Sequence, residues 1–202
     1  PLSVMNSRVQ PANRNAFQCV ANGRYAVTVT PLGDGFSALD DLLLTSWRPD
    51  PVEGGGGVLI YAREPGTHEA WTLCGRAAPG QAPGNVRATS DGLVIERQQG
   101  PWQSTVEVRV HDTFGLEERT CRITNTDQRA REIELTSYVE VVLNPPAAQE
   151  GHPAFAKLFV QTALVGADPV LRASRRARSA HERWPVLLHA LFDAPVTEFT
   201  TE

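Results

Sequence analysis

Residues 102–143 read "WQSTVEVRVHDTFGLEERTCRITNTDQRAREIELTSYVEVVL". At the start of this stretch Val106, Val108 and Val110 alternate with Glu107, Arg109 and His111, the two-residue period of a strand with one dry and one wet face. Residues 116–126 and 131–143 continue the alternation on either side of Thr126, Asp127 and Gln128, which predicts a hairpin between them. In the last segment Glu132 and Glu134 stand two apart, so they share a face about 7 Å from each other by strand rise. That spacing is compatible with a glycosidase pair. The alternation opposes them to Ile133, Leu135, Ser137, Val139 and Val141, the natural dry positions, and the carboxylates are therefore read as a solvated sheet face. Glu140 has their parity but also that of Tyr138 and Val142, so the strand is expected to be covered on both faces near its end. A covered Glu140 would need a partner such as an arginine.

Outward from this stretch the chain keeps the same grammar. "RYAVTVTPL" sets Tyr25, Val27 and Val29 against Arg24, Ala26, Thr28 and Thr30. "GVLIYARE" and "EAWTLCG" predict a hairpin across "EPGTHE", and "NVRAT" and "GLVIERQQ" another across Ser90, Asp91 and Gly92, where Gly92 supplies positive φ. "FAKLFVQTALV", "PVLRASRR" and "PVLLHALFD" complete a set of ten or eleven strands. The best helical stripe, "ALDDLLLTSW", spans no more than two turns, and its four leucines equally suit the edge of a strand. So many short strands with turns at near-regular spacing mean an all-β chain, a large antiparallel β-sandwich. "PDPVEGGGG" and "APGQAPGN" are loops inside one domain, since neither is long enough to divide the chain.

Composition limits the function. With 202 residues and 41% hydrophobic content the chain can bury one sizeable core. The formal net charge of -4 leaves no basic excess for a phosphate backbone, which argues against nucleic acid as a partner. Of 19 basic residues only Lys157 is a lysine. Cys19, Cys74 and Cys121 are odd in number and far apart, with no CxxC pair, so no disulfide framework or zinc site is expected and a reducing, cytoplasmic setting fits better. No apolar run approaches the roughly 20 residues that cross a bilayer, and the amino terminus has no signal-peptide pattern. No cofactor or metal is expected. The first 16 residues read as a flexible lead-in to a domain over 17–202, and the lack of an initiator methionine suggests a piece of a larger protein.

The chemical motifs are few. "EGGGG" at 53–57 lacks the GK[ST] ending of a phosphate loop and opens a strand, so it reads as a flexible turn. Asp34, Asp40, Asp41 and Asp50 match no calcium loop and read as solvated turn carboxylates. No GxSxG or HExxH is present, which leaves hydrolase and metalloprotease readings without residues. Among five histidines, His152 stands apart in "EGHPAFAKLF", beside a proline and near Lys157. Trp47, Arg48 and Asp50 join an aromatic plane, a guanidinium and a carboxylate just before the glycine run, a set able to grip sugar hydroxyls. The competing reading is a tryptophan plugging the sandwich rim.

These blocks carry a family resemblance. "NGRYAVTVTPLGDGFSALDDLLLTSWRPD" and "TNTDQRAREIELTSYVEVVLNPPAAQEGHPAFAKLFVQT" resemble the amino-terminal β-sandwich of glycoside hydrolase family 94, formerly glycosyltransferase family 36. The nearest form is that of cyclic β-1,2-glucan synthases and β-glucan phosphorylases. The resemblance runs from Phe17 to the carboxyl end. The family's "TRWR" is "TSWR" here, with Ser46 in place of an arginine. It implies a supersandwich related to galactose-mutarotase-like folds, set before a helical (α/α)6 barrel that holds the catalytic acid. The chain ends near where the last sandwich strands and linker helices would follow, so the fragment itself is expected to be noncatalytic.

The resemblance further implies an accessory domain that packs on the barrel of the same chain, helps form a homodimer and lends loops to a β-glucan cleft. "TSWRPD" and "HPAFAK" are the candidate loops: Trp47 stacking, Arg48 and Lys157 donating hydrogen bonds, Asp50 and His152 orienting hydroxyls. The fragment is expected to sit on the cytoplasmic side without touching the membrane, even where its parent is an inner-membrane protein. Two alternatives stay open: a free-standing sugar-binding module, and an aldose epimerase using His152 with Glu150 as its acid and base.

Overall fold

The computed structural model describes residues 17–46, 48, 56–67, 69–166, 169–177 and 179–201. They form fifteen strands and two short helices. In chain order the first strands are β1 (Gln18–Ala21), β2 (Tyr25–Val29), β3 (Gly35–Leu39), β4 (Leu42–Thr45), β5 (Val58–Glu64) and β6 (Glu69–Cys74). Then come β7 (Asn85–Ala88), β8 (Leu93–Gln99), β9 (Trp102–Val110), β10 (Glu117–Asn125), β11 (Glu134–Val139) and β12 (Val141–Asn144). The helices α1 (Pro146–Gly151) and α2 (Pro153–Lys157) precede β13 (Val160–Val165), β14 (Val170–Arg175) and β15 (Leu187–His189).

The strands make four antiparallel sheets, ordered β1-β2-β3-β4-β12, β10-β9-β8-β7, β11-β5-β6 and β13-β14-β15. β1 and β2 lie against β9, and β6 lies against β8 and β9. The core sits between these layers. Val27 and Val29 from β2, Leu73 from β6, Leu93 and Ile95 from β8, and Val106 and Val108 from β9 are almost wholly buried. Each belongs to the apolar parity of its strand, so the period-two pattern is what assembles the core.

The hairpins β5–β6 and β7–β8 form as predicted, but Gly92 does not take the positive φ expected of it; what requires glycine there is close approach, since a Cβ would stand 2.3 Å from the Val108 carbonyl oxygen. Two expectations fail for physical reasons, and a segment left open between helix and strand is decided. Residues 116–126 pair with β9 and not with 131–143, because the chain after Asn125 leaves that sheet and β11 pairs with β5. Residues 38–45 of "ALDDLLLTSW" lie in a strand hairpin: Asp40 takes φ of 53° in its turn and is clamped by Arg24, whose guanidinium donates to its carboxylate at 2.7 and 3.0 Å. The apolar run after Pro153 begins as helix α2, with proline in the first turn, and becomes strand only at Val160.

Residues 131–143 also depart from the single long strand that was expected. The segment breaks at Glu140, leaving β11 in the sheet of β5 and β12 in the sheet of β4. Leu135 is 45% exposed and Ser137 is exposed, so the presumed dry face of β11 is open to solvent. β11 is an edge strand, and of its side chains only Val139 is even half-buried. Asp34 is another correction: it is buried, accepts a hydrogen bond from the Thr30 hydroxyl, and is no solvated turn carboxylate.

Candidate functional site

Glu140 is the residue around which the candidate loops meet. Its backbone N–H donates to the Gly57 carbonyl at 3.1 Å, and its carbonyl accepts from Ser46 N at 2.8 Å. One residue therefore bridges the end of the glycine run and the start of "TSWRPD". The approach is close enough that a Cβ at Gly56 would stand 2.1 Å from the Ser46 carbonyl oxygen, so only glycine fits there. The Glu140 carboxylate pairs with Lys157 Nζ at 2.8 Å, the two side chains being 26% and 54% exposed. The expected cationic partner exists, but it is the single lysine of "HPAFAK" and not an arginine.

The predicted site residues divide accordingly. Trp47 and Asp50 lie outside the described residues. Arg48 is exposed two residues beyond the buried Ser46. His152 is exposed at the α1–α2 corner, where its carbonyl accepts from Ala156 N at 2.9 Å. Lys157 alone is tied, through Glu140, to the base of the "TSWR" segment. Glu150, the epimerase partner of His152, is exposed as well. Glu134 pairs with Arg63 on β5 at 2.8 Å, and Glu132 is exposed, so neither carboxylate of the opening stretch has an enclosed partner. Trp71 and Trp102 stack at 6.1 Å between ring centroids but are 3% and 5% exposed, which makes them core residues and not a sugar platform. Among the described residues no group of three or more His, Cys, Asp or Glu side chains could hold a metal ion. The three cysteines are free.

A second polar assembly escaped sequence reasoning. On β10 the inward parity carries Glu117 and Arg119, and their side chains, 8% and 10% exposed, form an ion pair. The Glu117 carboxylate also accepts from the Tyr25 hydroxyl at 3.1 Å and the Ser37 hydroxyl at 2.5 Å. Arg119 Nη1 donates to the Val58 carbonyl at 3.2 Å and to Cys74 Sγ at 2.7 Å. Five strands from three sheets, β10 included, thus meet at one buried pair.

The electrostatics follow from that enclosure. Burial, then the nearby Glu117 charge, raises the Tyr25 hydroxyl pKa. Burial pushes up the Cys74 thiol, and burial with the neighbouring Cys74 brings Cys121 to about 11. Burial works against the Arg119 charge, yet Cys74 and Glu117 outweigh it and raise its pKa. His189, whose Nε2 lies 2.6 Å from Ser137 Oγ, is held below its ordinary value by burial, with Glu117 opposing. The signal for this assembly was present in the sequence: Cys121 and Ile123 mark the inward face of residues 116–126, and Glu117 and Arg119 have the same parity. Tyr25, Ser37, Cys74 and Arg119 are all bound to Glu117 or to its partner, so the assembly fastens sheets together rather than presenting a group to a substrate.

Comparison with known proteins adds a family. The model described as "Glycosyl hydrolase 94, supersandwich domain" matches residues 3–202. A curated relative, cyclic beta-(1,2)-glucan synthase NdvB of Rhizobium meliloti (strain 1021), is 32% identical over 186 residues. That alignment covers 91% of this chain and 6% of the relative, so the chain corresponds to a small part of that protein's length.

Proposed function

Because the chain belongs to the glycosyl hydrolase 94 supersandwich domain family, we propose that it is a noncatalytic accessory domain of a β-glucan-active enzyme, packing on a catalytic (α/α)6 barrel and lending loops to a glucan cleft. The observation that carries this reading is the Glu140 crossing. Its backbone holds the start of "TSWRPD" and its carboxylate holds "HPAFAK" through Lys157, so two segments distant in sequence are anchored at one point. Lys157 donates to glucan hydroxyls beside His152, and Trp47 stacks on a sugar face with Arg48 and Asp50 at its rim. The glucan is β-1,2-linked by analogy with the relative's printed name.

The packing role is supported by large exposed apolar side chains. Leu158 is 73% and Phe155 58% exposed in and just after α2, and Leu188 on β15 is 62% exposed, side chains that a packed neighbour would cover. A barrel of the same polypeptide, or a second copy in a homodimer, is the partner. The free cysteines support a reducing, cytoplasmic setting, and no described helix is long and apolar enough to cross a membrane. The free-standing module is disfavoured by the burial of Trp71 and Trp102, the stacked tryptophan pair.

Calorimetric titration of the 202-residue chain with β-1,2-gluco-oligosaccharides tests the binding part. Heat is expected at millimolar ligand, weakened by Trp47→Ala and by Lys157→Ala. A flat titration, or one that both variants leave unchanged, removes the two loops from the proposal.

A further inference from the structure

We infer that the tip of the β9–β10 hairpin, His111, Asp112 and Phe114, is a second stacking site for a hexose unit of a glucan, remote in sequence from the two loops above. This rests on the glucan-enzyme reading and names a further point of contact. Phe114 is 64% exposed. A lone exposed aromatic on a loose loop needs no explanation. This loop, however, is fixed from both sides.

Asn22 of "NGRY" donates through Nδ2 to the carbonyls of His111 at 2.7 Å and Phe114 at 2.9 Å. Its Oδ1 accepts from the backbone of Arg24 at 3.1 Å and Tyr25 at 2.8 Å, so one side chain organises its own turn and clamps the hairpin tip. The tip is closed by His111 N donating to Leu116 O at 2.9 Å. Within it His111 Nδ1 accepts from the amides of Thr113 at 3.1 Å and Phe114 at 3.3 Å. The Phe114 ring rests against the imidazole, with centroids 4.8 Å apart.

Three consequences follow. An Nδ1 that accepts places the ring proton on Nε2, which is left as an outward donor. The exposed Asp112 carboxylate next to it accepts from hydroxyls. Against the imidazole the phenyl ring offers an exposed apolar plate whose backbone is clamped before any ligand arrives, which lowers the ordering cost of binding. A plate with a donor and an acceptor on nearby residues of the same tip suits the C–H face and ring hydroxyls of a neutral sugar. The burial of Tyr25 and the Asn22 clamp explain why "NGRY" stands where it does: it holds this tip.

Saturation-transfer NMR on the 202-residue chain with a β-1,2-linked gluco-oligosaccharide tests the site, comparing the unaltered protein with Phe114→Ala, Phe114→Leu and Phe114→Trp. The expected result is transfer to ring C–H protons at millimolar sugar, several-fold weaker in the Ala and Leu variants and retained with Trp. Equal transfer in Phe114→Leu would show that only apolar bulk matters, as for a protein anchor, and overturns the proposal. Unchanged transfer in Phe114→Ala overturns it too, while leaving the Trp47 and Lys157 loops untouched. Transfer that these substitutions weaken but Trp47→Ala and Lys157→Ala do not would sustain the tip and remove the loops. Absence of transfer altogether overturns the tip and leaves the barrel-packing role standing.

Discussion

In β9 every second side chain is enclosed: Trp102, Ser104, Val106 and Val108 are at most 6% exposed, with β8 and β10 on either side and β6 across. In β11 no side chain is buried, and Leu135 and Tyr138 are 45% and 46% exposed although both would suit a core. The two strands carry similar alternation, and their difference lies in what stands around them. β9 is interior to its sheet and roofed by another; β11 has one partner, β5, and an open flank. A period of two states which residues share a face, and the neighbouring layers decide whether that face is dry.

The comparison extends to charge. Beside β9 lies the Arg119–Glu117 pair, nearly inaccessible; β11 holds the Arg63–Glu134 pair, about half exposed. Arg119→Met strips the buried Glu117 of its cation and is expected to cost about 3–5 kcal/mol, whereas Arg63→Met should cost under about 1 kcal/mol because water replaces the lost partner. Urea unfolding midpoints of the two variants measure the contrast, and similar losses would show that the buried pair is not the fastening it is argued to be. A smaller effect is expected for apolar truncation. Val108→Ala removes two enclosed methyl groups and should cost about 2–3 kcal/mol, against under about 0.5 kcal/mol for Leu135→Ala. A loss at Leu135 as large as at Val108 would mean that β11 is covered in solution.

A last effect, smaller than that of either buried site, concerns the bond from Ser137 on β11 to His189 on β15. Ser137→Ala should cost about 0.5–1.5 kcal/mol at neutral pH. Its pH dependence has a definite sign. Burial keeps the His189 pKa below its ordinary 6.5, so the fold favours the neutral ring, with Glu117 pulling toward the charged form and Arg119 against it. The contribution is complete above 6.5 and is lost as the pH falls through the lower folded value. Thermal melts of the unaltered chain and of His189→Asn should converge on acidification, and parallel curves would remove His189 from the account.

These contrasts show what could be read from residues alone. Strand positions were legible wherever apolar residues recur every second place, as in Val27 and Val29 or Val106 and Val108, because a strand's own geometry imposes that period. Sheet membership was not, since it depends on partners far away in the chain: β11 belongs with β5, not with the β10 that precedes it. β1 is too short to announce itself, and α2 borrowed the apolar look of the strand that follows it. At the candidate site, "TSWRPD" and "HPAFAK" were separate suggestions. Glu140 already stood out by sharing its parity with Tyr138 and Val142, yet nothing local to it pointed to Lys157, because the bridge exists only once α2 has folded back beside β12. The Glu117–Arg119 pair was readable from the parity of Cys121 and Ile123, but the presumption that charges face water hid it.

The break at Glu140 has a mechanical side. It is the sole residue between β11 and β12, so the chain passes from one sheet to the next with no slack. Neither sheet can peel away without dragging the other, and the two are expected to open as one cooperative unit in amide exchange. A domain wired in this way transmits a pull on the "HPAFAK" helix directly into both layers, which makes Glu140 the fulcrum of the fold and the point at which a docked neighbour would be felt across the sandwich.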